Sequence, residues 1–409
     1  MVERQVLILP LQKRAFDERY SALRQYVAGS SYGRQKESFK MDFVRFLEER
    51  SSGPSAAATA SSLETATPTD VIRFLFYRDQ RGRTTIHAFD CPNIGKPGLF
   101  DCACPVRLAA GTVDSYIGML RAIFNANGRR GADNPCDSAE VKGWLKACEL
   151  EQRRHRVPVK QAQPVFSTHL RLVVSEIQLR LARLPPMEPF FPERFLLYRD
   201  WAFFTIQWFC GDRAGDLGNT LGREVVRLED GSLLFNHTVG KTIREAGGQL
   251  LVVPRVPSEP SLCPVSAFDR YVSACKRESV DLTKGYLFPP TASPLHRSIR
   301  DAPLMSKVTT KRLRVYLPDN NFTAHGARAG CAITLFMLGA TKENVMEHCR
   351  WATEQICRHY TRIEKVKRLD SSAGILRAGV SVSGGISEAD SAAFLYDILN
   401  SGIDQTPAI

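Results

Sequence analysis

A chain of 409 residues is longer than one ordinary core, so two domains are expected, and an apolar content of 44% supplies both. The formal charge of +12 is spread without long like-charged runs, which suits contact with phosphates over a broad surface. The most apolar helix, Trp201 to Cys210, is far short of a membrane span and is flanked by Arg199, Asp200 and Asp212, which excludes a membrane protein. Val6–Pro10 has no small-residue cleavage site after it, and the eleven cysteines then read as reduced thiols. The expected location is the nucleus in a eukaryote or otherwise the cytoplasm, not outside the cell.

The first half reads as helices. Phe39, Phe43, Phe46 and Leu47 recur at helical spacing, and residues 51–62, rich in Ser and Ala, form a loop. Thr67-Pro68-Thr-Asp70 opens a second helix with a cap, a proline at the first position and an acid at the third; it carries Val71, Phe74 and Leu75. A third follows Thr112 with Val113, Tyr116, Ile117, Leu120, Ile123 and Phe124, and Gly128 ends it. A fourth follows Ser138. Between the second and third, His87-x3-Cys91-x10-Cys102-x-Cys104 gathers four soft ligands in a loop-like stretch, which is either a structural zinc site or an insertion loop with ordinary thiols.

Residues 151–166 are basic, contain two prolines and lack helical apolar spacing, so they read as an interdomain linker. Its Arg153, Arg154, Arg156 and Lys160 are either solvated or DNA-binding. Helices are expected over 167–184 and 192–209. Strands follow over 224–229 and 232–236 around an Asp230-Gly231 turn, and a third over 249–254. From Pro264 the chain returns to helices through Tyr360. In the tail, Ser387-Glu-Ala-Asp390 starts a short helix with Phe394, Leu395, Ile398 and Leu399 on one face, which either packs on its own domain or docks on a neighbouring protomer.

His325 and Arg328 lie one helical turn apart on one face, close enough to grip one small anion. Trp351 comes 23 positions after Arg328, and Tyr360 nine after that. Upstream, Gly211-Asp-Arg213-Ala-Gly-Asp216 adds a second arginine, with Asp216 placed to orient it, and Lys241 sits at a hairpin tip. These residues suit attack on a phosphodiester. Two planar, permanently charged forks hold the non-bridging oxygens, and His325 exchanges a proton with the nucleophile. Lys241 protonates the departing 5′ oxygen, Trp351 gives one indole hydrogen bond, and Tyr360 supplies the attacking oxygen. Singly, each has a plainer role as a surface ion pair, a core aromatic or a hairpin lysine.

In this order and spacing, Arg213, Lys241, His325, Arg328, Trp351 and Tyr360 resemble the tyrosine recombinase (phage integrase, Cre-like) family. The resemblance implies a mainly α fold with a small antiparallel β-sheet. It implies a two-domain DNA clamp: a helical core-binding domain over 1–150, the basic linker beside the duplex, a catalytic domain over 167–369 and a tail over 370–409. It also implies cleavage and rejoining of double-stranded DNA through a 3′-phosphotyrosine, with no metal or cofactor in catalysis, in a homo-tetramer. Trp351 stands where many relatives use histidine, and His348 and His359 flank the site as secondary groups. The scattered cysteines, with Cys102-Ala-Cys-Pro, resemble a eukaryotic mobile-element, Crypton-like branch. A type IB topoisomerase shares the chemistry, but that group generally opens its x-x-Arg motif with a residue other than His325. The rival of another class is a domesticated DNA-binding protein that has lost the reaction.

Overall fold

The computed structural model describes residues 10–51, 62–96, 101–158, 162–185, 192–240, 248–293, 296–318, 322–354 and 357. Lys160, Lys241, His359, Tyr360 and the helix expected at 387–400 lie outside them. The described residues are mainly helical, with small antiparallel sheets. The chain divides into two compact units, Met1–Val159 and Lys160–Ile409.

The first unit runs α1 (Pro10–Ala28), α2 (Ser31–Ser51), α3 (Pro68–Asp79), β1 (Thr84–Thr85), β2 (Val106–Arg107), α4 (Ala110–Ala126) and α5 (Ala139–Arg154). Its core is aromatic: Phe43 of α2 meets Phe74 of α3 and Phe124 of α4 edge-on, at ring-centroid distances of 4.9 and 5.8 Å. Each such pair adds about 0.5–1.5 kcal/mol beyond area burial. The capping box of α3 forms as its sequence predicts, with Asp70 N–H donating to Thr67 Oγ1 and Thr67 N–H to Asp70 Oδ2. Gly128, at φ +87°, ends α4 with the Arg129 N–H on the Phe124 carbonyl.

Three expectations change here. The half expected to be helical also contains the β1–β2 ladder. Helix α4 begins at Ala110, because Gln152 of α5 accepts from the Ala110 N–H and donates to the Leu108 carbonyl, supplying a cap from 42 residues away. For the same reason α5 runs on to Arg154, so the residues read as the start of a linker are its last turn.

The second unit holds α6 (Ser167–Arg183), α7 (Pro192–Phe209), α8 (Ala214–Gly218), β3 (Val225–Arg227), β4 (Leu233–His237) and β5 (Gln249–Val253). It continues with α9 (Pro264–Arg277), β6 (Thr291–Ser293), β7 (His296–Ile299), α10 (Ser306–Tyr316), α11 (Ala324–Met337) and α12 (Lys342–His348). The sheet order is β3-β4-β5, all antiparallel, with Phe235 opposite Val225 and Leu251. In β4, Leu233, Phe235 and His237 face inward while Asn236 is exposed.

Helix α7 is central and packs on α6, α9 and α11. Arg199 and Asp200, read from sequence as polar flanks of its apolar run, are buried inside the unit. Asp200 accepts from Arg199, from Arg312 Nε at 2.5 Å and from Tyr316 Oη at 2.7 Å. Burial pushes that carboxyl up, but the two guanidinium groups overcome it and hold it below the usual carboxylate range. The β6–β7 hairpin was expected to be helical. Segment 162–166 lies against α11, the Val165 N–H donating to the Gly326 carbonyl at 2.9 Å. A Cβ on Gly326 or Gly330 would strike the carbonyl oxygens of Gln163 or Val165, so both positions require glycine.

Candidate functional site

In the second unit two helix C-termini meet. Helix α7 ends in a left-handed Gly211 (φ +57°), with the Gly211 N–H on the Trp208 carbonyl and the Asp212 N–H on the Gln207 carbonyl. Helix α12 ends in the same motif with Arg350 (φ +54°) in the glycine place: the Arg350 N–H reaches Glu347 and the Trp351 N–H reaches Met346 at 2.8 Å. These turns set the direction in which the chain leaves each helix, toward Arg213 in one case and Trp351 in the other.

Arg328 joins them. Its Nη1 donates to the Gly211 carbonyl at 2.6 Å, its Nη2 donates to the Cys349 carbonyl, and its guanidinium lies 5.5 Å from the Trp351 ring centroid. Carbonyls at helix C-termini carry partial negative charge, so a buried cation is well matched there. Gln207 adds a second tie, donating from Nε2 to the Ala324 carbonyl at 2.7 Å and to that of Asp212 at 3.3 Å. The segments bearing Arg213, His325–Arg328 and Trp351 are thereby held together. Arg328 and Trp351 are buried, His325 is exposed on the first turn of α11, and Arg213 is half-buried with Nη1 3.4 Å from Asp216 Oδ2. The N-terminus of α11 is fixed by the Ala324 N–H donating to Thr310 Oγ1.

His348, read as secondary, has a structural contact: Nε2 to the Phe209 carbonyl at 2.8 Å. Sequence reasoning missed Asp212 and Arg350, whose carboxylate and guanidinium pair, with Asp212 fully buried. It also missed His237, whose Nε2 is 3.2 Å from Asp212 Oδ2. The available signal was an acid and a base each directly beside a site residue. The buried thiols of Cys331 and Cys349 lie against Gly211, and buried Cys210 precedes it. Burial pushes Cys210 up to about 12, and the hydrogen bond with Cys349, together with burial, raises Cys331 well above the ordinary value. Both remain protonated thiols at neutral pH.

The first unit has its own cluster. The β1–β2 register pairs Thr84 with Arg107 and Thr85 with Val106, and the Ile86 N–H on the Pro105 carbonyl extends it, so His87 and Cys104 face each other at its end. Turns after Ala88 and Cys91 bring Cys91 back, and the ligand atoms of His87, Cys91, Cys102 and Cys104 all lie within 4.8 Å of one another. His87 Nδ1 is 3.4 Å from Cys91 Sγ and 3.5 Å from Cys102 Sγ. Tetrahedral bonds of ordinary zinc length require an N···S edge of about 3.6 Å. The residues therefore fit a metal ion. The Cys104 backbone N–H lowers the Cys102 thiol toward the thiolate a metal needs. Helix α5 braces the loop, His155 Nδ1 lying 2.7 Å from the His87 carbonyl and the Arg154 guanidinium over Phe89. Arg153, Arg154 and Arg156 are exposed.

The model of the ALOG domain matches residues 21–149. Protein LIGHT-DEPENDENT SHORT HYPOCOTYLS 6 of Arabidopsis thaliana is 32% identical over 151 residues, which cover 36% of this chain and 74% of that protein. The chain belongs to the ALOG family. Protein G1-like5 of Oryza sativa is 38% identical over 96 residues, 23% of this chain and 47% of that protein. The chain thus spans about half the length of that ALOG relative. Among solved structures, a lambda integrase dimer bound to a COC′ core site is similar at 12% identity and TM-score 0.46, covering 91% of this chain and 80% of that one. The Tn1549 transposon integrase in complex with circular intermediate DNA is similar at 10% identity and TM-score 0.43, covering 87% and 98%. Among the described residues no helix is long and apolar enough to cross a membrane.

Proposed function

We propose that this ALOG-family chain cuts and rejoins double-stranded DNA as a tyrosine recombinase, its second unit supplying the chemistry and its first unit a share of the DNA grip. The observation that supports this reading most is Arg328. One buried guanidinium ties the turn before Arg213, the helix bearing His325 and the turn before Trp351. A surface ion pair or a stray core arginine has no need of that convergence.

In the proposed reaction the Tyr360 oxygen attacks the phosphorus, the P–O5′ bond breaks, and a 3′-phosphotyrosine forms. The phenolic proton passes to His325, and Lys241 gives a proton to the departing 5′ oxygen. Arg213 and Arg328 carry the charge that grows on the non-bridging oxygens. Attack by a 5′ hydroxyl on the phosphotyrosine reverses these steps and restores the tyrosine. Two arginines, a lysine and a histidine supply enough positive charge to make a catalytic metal unnecessary. Exchange between two duplexes requires a homo-tetramer on DNA, and the element served is a mobile one. Of the two compartments expected from sequence, the plant origin of the curated relatives favours the nucleus.

In the first unit we assign zinc to His87, Cys91, Cys102 and Cys104, because three sulfurs and one imidazole in tetrahedral reach are its preferred structural set. Arg153, Arg154, Arg156 and Lys160 are assigned to the DNA backbone.

The test uses a pool of nicked duplexes with randomised cores. Adducts that survive denaturant are collected and their DNA sequenced, which also identifies the target. The wild-type chain should yield adducts and Tyr360→Phe none. A second reading rests on the ALOG match, which stops at residue 149, before every residue of the constellation. On that reading the chain binds DNA without cutting it, and a selected sequence would be retained by both proteins with no adduct from either.

A further inference from the structure

Arg350 occupies a position that helix geometry reserves for glycine. In the turn that ends α12 the residue after the cap must be left-handed, and a side chain there is strained. A large charged residue held in that conformation needs a compensating contact, and one is present: its guanidinium pairs with Asp212. Asp212 in turn is the residue that leaves the matching turn of α7, just after the left-handed Gly211 and directly before Arg213. The pair therefore connects equivalent places in two facing helix termini, one leading to Trp351 and the other to Arg213.

Burial settles what such a pair can do. The Arg350 and Asp212 side chains are 7% and 1% exposed, and each is turned to the other rather than to solvent. Asp212 has a further neighbour in His237 at 3.2 Å, itself bonded through Nδ1 to Thr220 Oγ1 at 3.3 Å, which extends the connection into β4. Arg328 bridges the same two turns through their backbone carbonyls, whereas Arg350 and Asp212 bridge them through side chains. The two bridges together leave the Arg213 turn little freedom to slide against Trp351.

We propose that Arg350 and Asp212 form a positioning pair that sets the distance between Arg213 and Trp351 in the active site. This inference rests on the recombinase reading of that site. Neither residue touches substrate; both act through the neighbours they hold.

The experiment compares wild type, Arg350→Gly, Arg350→Lys and the double variant Asp212→Asn with Arg350→Gly. The single glycine variant leaves a buried carboxylate without its partner and is expected to lose stability along with rate. The double variant removes both charges and puts the preferred residue in the left-handed turn, so its melting temperature should return to near wild type. A purely structural pair would then recover activity as well. Positioning predicts otherwise: DNA affinity by gel shift unchanged, but adduct formation on the nicked duplexes slower by roughly 100-fold. Arg350→Lys keeps the charge and should recover part of that rate, and amide exchange of peptide 345–352 should quicken in the double variant alone of the two stable proteins. A stable double variant that forms adduct at the wild-type rate overturns the positioning role and leaves the recombinase reading intact. A wild-type chain that forms no adduct overturns the recombinase reading, and the inference with it.

Discussion

Arg328 donates to the Gly211 carbonyl at 2.6 Å, so the helix that carries His325 is pinned to the turn that carries Arg213. Because the same side chain also reaches Cys349, its planar fork is used twice on the backbone before any substrate arrives. A lysine in its place keeps the charge but has neither the fork nor the reach to satisfy both carbonyls.

Arg328→Lys should therefore slow adduct formation by about 10²–10³-fold, the usual cost of losing one aimed donor set. It should also destabilise the second unit by about 1–3 kcal/mol for each buried carbonyl left unsatisfied. Gel shift with the selected duplex, adduct yield and thermal melting separate these effects. Unchanged adduct yield in this variant would remove Arg328 from the phosphate clamp.

Gly211→Ala tests the same turn from the backbone side. The residue sits at φ +57°, and an added Cβ would come 2.9 Å from Cys349 Sγ and 3.3 Å from Cys331 Sγ. Both thiols are buried, so they have little room to move. Strain of about 1–3 kcal/mol is expected, read as a lower melting temperature with slower cleavage. A variant that melts like wild type would mean that the α7 turn relaxes freely.

What the sequence disclosed and what it hid divide along physical lines. The capping box at Thr67–Asp70 and the Asp230-Gly231 turn depend on residues within four positions of one another, and both were readable. The His-x-x-Arg pair on α11 was readable for the same reason. The cap of α4 comes from Gln152, the strain at Arg350 is answered by Asp212, and the close approach at Gly326 and Gly330 is to Gln163 and Val165. Each of those partners is distant in the chain, and no local pattern announces it. Arg199 and Asp200 read only as charges flanking an apolar run, because Arg312, which shares the Asp200 carboxylate with Arg199, lies on another helix. The aromatic helices of the first half suggested a core but not the ALOG family, since apolar spacing describes any helical bundle.

Metal removal is the third prediction. If zinc bridges His87, Cys91, Cys102 and Cys104, elemental analysis of the full chain should give one equivalent, lost on Cys102→Ser. Binding at such a site is part of the folding free energy, so a strong chelator should lower the melting transition of the first unit and leave that of the second. Adduct formation on a short nicked duplex should fall only as far as DNA binding falls. A metal-free chain whose first transition is unmoved by added zinc would refute the assignment.

The last prediction concerns pH, through His237. Burial lowers the pKa of this imidazole below its ordinary 6.5, and the carboxylates of Asp216 and Glu224 recover only part of the shift. Asp212 also lies 3.2 Å from Nε2, and burial still prevails. A group with a lowered folded pKa binds protons more readily in the unfolded chain. Stability is therefore fully present above about pH 6.5 and declines as pH falls from there toward the folded value. Asp200 acts the same way in sign but lower in pH, because its carboxyl is held below an ordinary 3.8 and stays charged throughout the window. Between pH 7.5 and 5.5 the melting temperature of the second unit should fall, at roughly 2–4 °C for each kcal/mol lost in a domain of this size. His237→Asn should melt lower at pH 7.5 yet show a flatter dependence, since asparagine keeps polar contacts without a titrating ring. Parallel slopes in the two proteins would place the acid sensitivity elsewhere in the unit.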